Sequence, residues 1–176
     1  MNMPITPLHI GVPALLGYFH PRRFDALSGI AGSVIIDLNF FLFLILGHPI
    51  HGIVHTYAAA SVLSVVLLVS LVVFKDRANR LRTRYRFKLP GSTMAVATGA
   101  FVGTFTHVFF DSLLYAEMDP FYPVRGNPFI YGGNPLVPFA IVYGVTAVTT
   151  FTFLWIYLNN YFEGRDARPE SKKDDP

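Results

Sequence analysis

Four long apolar runs, with almost every charge confined to the segments between and beyond them, constrain this chain more than any other feature. The runs are Ala26 to Gly47, Gly52 to Phe74, Thr93 to Ala116 and Leu136 to Leu158. Each is long enough to cross a bilayer core, which takes roughly 20 helical residues. The expected fold is therefore all-α and integral to a membrane, a bundle of four transmembrane helices in one domain over residues 1–163. Composition agrees: 14% of residues are charged and the mean hydropathy is +0.44, whereas soluble domains carry about 25% charged residues.

A shorter apolar segment, Pro4 to Phe19, precedes the four runs and is interrupted by Pro7 and Pro13. At that length it is either a thin first span or a re-entrant piece, and its prolines argue against a simple straight helix. No basic stretch precedes it, so a cleaved signal peptide is not expected. The absence of cysteine excludes disulfides and thiolate metal sites. Residues 164–176 read as a solvated, disordered tail.

Basic residues give the bundle a direction. Lys75, Arg77, Arg80, Arg82, Arg84, Arg86 and Lys88 crowd one connection, Arg22 and Arg23 precede the first full run, and Arg165, Arg168, Lys172 and Lys173 follow the last. If four helices alternate, thirteen of the fourteen Lys and Arg residues share one side. The positive-inside rule makes that side cytoplasmic and places the C-terminus there, in a cell membrane. Topology and contact with anionic lipids explain these charges better than nucleic-acid binding does. The fourteenth basic residue, Arg125, lies in the long outer connection Glu117 to Pro135 with Asp119, Phe121, Tyr122, Phe129 and Tyr131. Those aromatics fit an interfacial belt or a lid over a substrate.

Ionisable residues within the runs are the second constraint. Asp37 lies mid-run in the first, His55 near the outer end of the second, and His107 and Asp111 in the outer half of the third. A charge near the bilayer centre costs at least about 2.5–3.5 kcal/mol, so such groups face the bundle interior and mark function. His51 and His55 are spaced by four, as are His107 and Asp111, which puts each pair on one face if the segment is helical. Gly99 and Gly103 continue the row below His107, and Gly29 and Ser33 the row below Asp37; small residues at that spacing let helices approach closely. If Pro4 to Phe19 crosses as well, His9 joins the same outer half. His48 flanks the outer turn, and His20 sits on the basic side without a role.

Imidazole and carboxylate together suit a divalent metal, zinc first, with manganese or iron as alternatives. A metal-bound water whose pKa falls toward about 7 is a nucleophile at neutral pH. Arg125 is placed to clamp a phosphoryl group through its fork of donors. Without metal, the same groups would serve as interhelical hydrogen-bond partners.

At these residues the sequence resembles a family of small bacterial and archaeal multi-pass membrane proteins, the membrane-bound metal-dependent hydrolases. The resemblance runs from residue 3 to about residue 136 and rests on MPITPLHIG, GSVIIDLNF, HGIVHTY and THVFFDSLL leading to DPFYPVRGNP. It implies His9, Asp37, His51, His55, His107 and Asp111 as metal ligands. The chain departs from the family pattern at Ile36, where a proline is usual, and at Asn39, where a second acid is usual; some relatives also carry a His near Tyr115. These departures lower the anionic charge of the implied site. The expected function is hydrolysis near the outer leaflet of an amphiphilic ester, such as a lipid or polyprenyl phosphoester. The alternatives are a divalent-metal-binding or transport protein, and a structural membrane factor without catalysis.

Overall fold

The structure, a computed structural model, describes residues 7–37 and 52–166. Among these residues it is all-helical and contains no strand. A 3-10 turn, Pro7–Ile10, leads into α1 (Gly11–Phe19), which is followed by α2 (Ala26–Asp37). A second 3-10 turn, Ile53–His55, precedes α3 (Tyr57–Val73), and α4 (Lys75–Arg84) follows directly. The longest helices are α5 (Thr93–Leu114) and α6 (Leu136–Asp166).

Two helices, α5 and α6, are long and apolar enough to cross a membrane; α3 with α4 makes a third only if that pair, bent by 89°, counts as one span. The expected run Ala26 to Gly47 is described as far as Asp37, and its remainder lies outside the described residues. Helix α6 continues through Asp166, so the first residues assigned to the tail are helical. Pro4 to Phe19 resolves, over its described part, into the 3-10 turn and a nine-residue helix. Pro13 falls in the first turn of α1, where its missing N–H costs nothing.

Side-chain caps set the helix starts. Asp25 Oδ2 accepts from Ser28 N at 3.0 Å ahead of α2, Thr56 Oγ1 from Ala59 N at 3.1 Å on α3, and Ser92 Oγ from Ala95 N at 3.2 Å on α5. Each occupies one of the amides that a helix start leaves without a partner.

The centre of the fold is the α2–α5 pair, which lies side by side and runs in one direction. Gly103 faces the Gly29 carbonyl, Gly99 faces Ser28 and the Asp25 carbonyl, and Gly32 faces the Ala100 carbonyl, so a Cβ at any of them would collide with the neighbouring helix. The expected small-residue rows thus form the seam. Helix α3 runs the opposite way and packs against both α2 and α5, with Ala60 beside Ile36 and Val108 and a 2.7 Å hydrogen bond between the Ser64 and Thr104 hydroxyls. Helix α1 lies along α6, where Gly11 abuts Thr150 and the Thr150 hydroxyl donates to the Leu8 carbonyl at 2.7 Å.

Polar and apolar side chains share the interior, and large apolar side chains cover much of the surface. The interior holds Ser28, Ser33, Ser64, Thr104, Thr146 and the six ionisable or imidazole side chains of His9, Asp25, His55, Arg82, His107 and Asp111, while Val62, Val69 and Val73 on α3 and Val148, Phe151 and Trp155 on α6 lie exposed. Water would penalise such contiguous apolar faces.

Candidate metal centre

Four segments deliver one chemical type of side chain to one end of the α2–α5 seam. The first 3-10 turn brings His9, the last residue of α2 is Asp37, the second 3-10 turn brings His55, and α5 supplies His107 and Asp111 one turn apart. His9, His55, His107 and Asp111 are buried. Asp37 is the open corner, its side chain 24% exposed against at most 6% for the other four.

The distances identify what the cluster is suited to. His107 Nε2 lies 3.2 Å from Asp111 Oδ2 and 3.5 Å from Asp37 Oδ1. His55 Nε2 lies 3.6 Å from Asp111 Oδ2, and His9 Nε2 lies 3.8 Å from Asp111 Oδ1. Charge-assisted hydrogen bonds would be about 2.7–2.9 Å. Neighbouring donors around a tetrahedral ion with bonds of about 2.0–2.1 Å are instead about 3.3 Å apart. The observed spacing therefore follows the edge of a coordination shell more closely than a hydrogen-bond network. Among the described residues, neither ring nitrogen of His9 or of His107 makes an aligned hydrogen bond, although both side chains are buried. Leaving such atoms unpaired is costly, which is the condition an ion relieves.

Two sets of three can each offer donor atoms within 4.8 Å of one another: His9, His107 and Asp111, and Asp37, His55 and His107. His107 belongs to both. The rings of His9 and His107 meet edge to face with centroids 4.7 Å apart, so packing helps to hold both imidazoles in place.

Five of the six ligand positions named from the sequence thus converge, and the sixth, His51, lies outside the described residues, as does His48. One local expectation changes. His55 sits on a 3-10 turn ahead of α3 rather than on a helix shared with His51, because Thr56 is extended and starts the helix after it. Arg125 is exposed on the connection between α5 and α6 and makes no hydrogen bond or ion pair among the described residues. Asp119 has a structural task, accepting from Gly126 N at 2.6 Å. His20 is exposed beside α1, away from the cluster.

The connection between α5 and α6 is anchored beside the cluster. Asn127 Nδ2 donates to the Ser112 carbonyl at 2.6 Å and to the Tyr115 carbonyl at 2.9 Å, and Tyr57 N donates to the Pro120 carbonyl at 2.9 Å. A cavity of about 270 Å³ lies between it and the His55 turn, lined by Gly52, Ile53, Thr56, Glu117, Asp119 and Tyr122.

Two charged residues are buried at the opposite end of the seam, outside the interiors of the apolar runs. Arg82 is 1% exposed and holds Asp25 through Nε to Oδ1 at 3.0 Å and Nη2 to Oδ2 at 2.6 Å, with Nη1 on Asn79 Oδ1 at 3.0 Å. In sequence Arg82 looks like any other member of the basic connection. The one usable signal was Asp25 preceding Ser28, a helix-capping spacing.

No family model, no curated protein and no solved structure matches this chain, so the functional reading rests on the geometry of the cluster.

Proposed function

We propose that this chain is a multi-pass membrane protein of the cell membrane with a cytoplasmic C-terminus, and that it is a metal-dependent hydrolase acting near the outer leaflet. The observation that carries the reading is His107, a buried imidazole without an aligned hydrogen bond among the described residues, shared by two carboxylate-containing donor sets. His9, Asp37, His55, His107 and Asp111 would hold one or two divalent ions, zinc first. The exposed apolar faces of α3 and α6 support the membrane placement. Four full crossings would require the run that begins with α2 to continue beyond Asp37.

A bound divalent ion supplies Lewis acidity, polarising a phosphoryl or carbonyl oxygen and making water nucleophilic at neutral pH. The chain's own residues do the rest. Asp37, at the open corner, has its Oδ1 toward His107, and its other oxygen would take a proton from water at the site. His9 and His55 approach Asp111 from the sides of opposite oxygens, so the carboxylate stands between two imidazoles that would share an ion with it. Arg125, with no partner among the described residues, keeps its donors for the phosphoryl oxygens of a substrate. A buried site at one end of an apolar bundle suits an amphiphile, a lipid or polyprenyl phosphoester.

Hydrolysis is preferred over ion transport because of the seam below the cluster. The backbones of α2 and α5 touch along Gly29, Gly32, Gly99 and Gly103, which leaves no ion path between these two helices.

The test is phosphate release from a polyprenyl phosphoester by detergent-purified protein, with elemental analysis of the same sample. Metal-dependent release that His107→Ala abolishes is expected. Protein that carries no transition metal at stoichiometric level, and whose activity survives both His55→Ala and Asp111→Ala, would end the hydrolase reading.

A further inference from the structure

Helix α4 leaves α3 at 89° and is short, polar and strongly basic. Its inward side is narrow: Ala78 and Arg82 are buried, and Arg82 is fastened to Asp25 and Asn79. Three other arginines, Arg77, Arg80 and Arg84, are exposed. At about 100° per residue they fall within about 60° of one another around the helix. Phe74, Leu81 and Tyr85 form the adjoining stripe within about 40°, and they too are uncovered, at 54%, 44% and 49% exposure. The Arg77 guanidinium sits 5.6 Å from the Phe74 ring, where the two stripes meet.

A right-angled helix with an uncovered apolar stripe beside an arginine stripe has the pattern of a helix lying in a membrane surface, apolar side in the acyl boundary and basic side among headgroups. The same end of the molecule gathers further basic groups. Gly91 N donates to the Pro21 carbonyl beside Arg22, Lys88 lies 5.2 Å from the Tyr18 ring, and Arg86 lies 4.5 Å from the Tyr161 ring. Between α3, α4 and the start of α5 is a cavity of about 470 Å³ whose lining passes from Leu71, Val72 and Val96 to Lys75, Asn79 and Ser92. That gradient matches a lipid, acyl chain to headgroup.

We propose that α4 and this cavity form a docking surface for anionic phospholipid, with Arg77, Arg80 and Arg84 engaging headgroup phosphates and the Arg82–Asp25 pair holding the helix in the plane of the surface. The partner is chosen by charge: the exposed side of α4 presents Lys75, Arg77, Arg80 and Arg84 against a single acid, Asp76. The surface lies at the opposite end of the seam from the metal cluster and shares with the hydrolase reading only the membrane placement.

Native mass spectrometry of the full chain, released from detergent with phosphatidylglycerol and phosphatidylcholine together, tests the proposal. Wild-type protein is expected to retain the anionic lipid preferentially. The combined Arg77→Gln, Arg80→Gln and Arg84→Gln variant is expected to lose at least about tenfold of that preference, since each basic group near an anionic surface contributes about fivefold. Arg22→Gln with Arg23→Gln, which removes charge from the same end but not from α4, is expected to keep most of the preference, and a loss equal to that of the triple variant overturns the assignment to α4. Helix content by circular dichroism and metal content are expected to stay unchanged in the triple variant, which separates this surface from the metal cluster. Retention of phosphatidylcholine reports membrane association itself. Equal retention of the two lipids by wild type, or an unchanged preference in the triple variant, overturns the proposal. So does a preference abolished by inorganic phosphate at constant ionic strength, which would make this a site for soluble anions.

Discussion

Arg82 and Asp25, 57 positions apart in the chain, meet through two parallel hydrogen bonds at 3.0 and 2.6 Å. Both side chains are almost wholly buried, so neither can turn to solvent if the other is lost. Removing one partner of a buried pair costs about 3–5 kcal/mol, because an uncompensated charge remains. Arg82→Gln is therefore expected to lower the unfolding temperature sharply in detergent, whereas Arg80→Gln, on the exposed side of the same helix, changes stability by no more than about 0.5 kcal/mol. Equal effects of the two substitutions in a thermal unfolding series would show that the buried pair is not what holds α4.

The α2–α5 seam makes a second prediction. A methyl group at Gly103 would run into the Gly29 carbonyl, and neither backbone can yield without separating the helices. Overpacking of this kind costs about 1–3 kcal/mol. Gly103→Ala is also expected to weaken metal binding, because α2 carries Asp37 and α5 carries His107, which stand 3.5 Å apart only while the seam is closed. Zinc titration of the variant checks this; unchanged affinity with lowered stability would show that the cluster does not depend on the seam.

What could be read from the chain, and what could not, divides along a physical line. Helix α5 was legible almost end to end, Thr93–Leu114 against an expected Thr93 to Ala116, because a capped run of apolar residues is a local signal. The convergence of His9, Asp37, His55, His107 and Asp111 was legible because buried polar groups in an apolar run must find one another. The 89° bend after Val73 was not, since nothing in Phe74 or Lys75 distinguishes a turn into the surface from a simple helix end. Without the bend, Arg82 cannot be told from Arg80 or Arg84. His55 was misplaced for a related reason: Thr56 adopts an extended conformation and caps α3, and a four-residue spacing alone cannot say where a helix begins.

Asn127 ties the connection between α5 and α6 to the end of α5 with two donated bonds, at 2.6 and 2.9 Å, and its own Oδ1 accepts from Phe129 N at 3.0 Å. Asn127→Ala removes all three, and each net hydrogen bond contributes about 0.5–1.5 kcal/mol. The connection is expected to open locally, with faster proteolytic cleavage between residues 116 and 135 and little change in the unfolding of α5. Cleavage at the wild-type rate would mean that the aromatic contacts of Phe109, Phe121 and Phe129 hold the segment without Asn127.

The two overlapping donor sets predict an order among the histidine variants. His107→Ala takes a donor from both sets, while His9→Ala spares Asp37, His55 and His107, and His55→Ala spares His9, His107 and Asp111. A ligand that binds only the folded state stabilises it by about 2.7 kcal/mol at a hundredfold excess over its Kd. Wild-type protein stripped with chelator and then given zinc should show a shift of that order, reversed by chelator. His9→Ala and His55→Ala should each keep a reduced shift, because three donors still suffice to hold zinc. His107→Ala should show none, and its affinity should fall by more than the 10–100-fold typical of losing an outer-shell partner. Zinc shifts of the same size in wild type and His107→Ala would place any bound metal elsewhere and leave the cluster as a set of packed, unligated side chains.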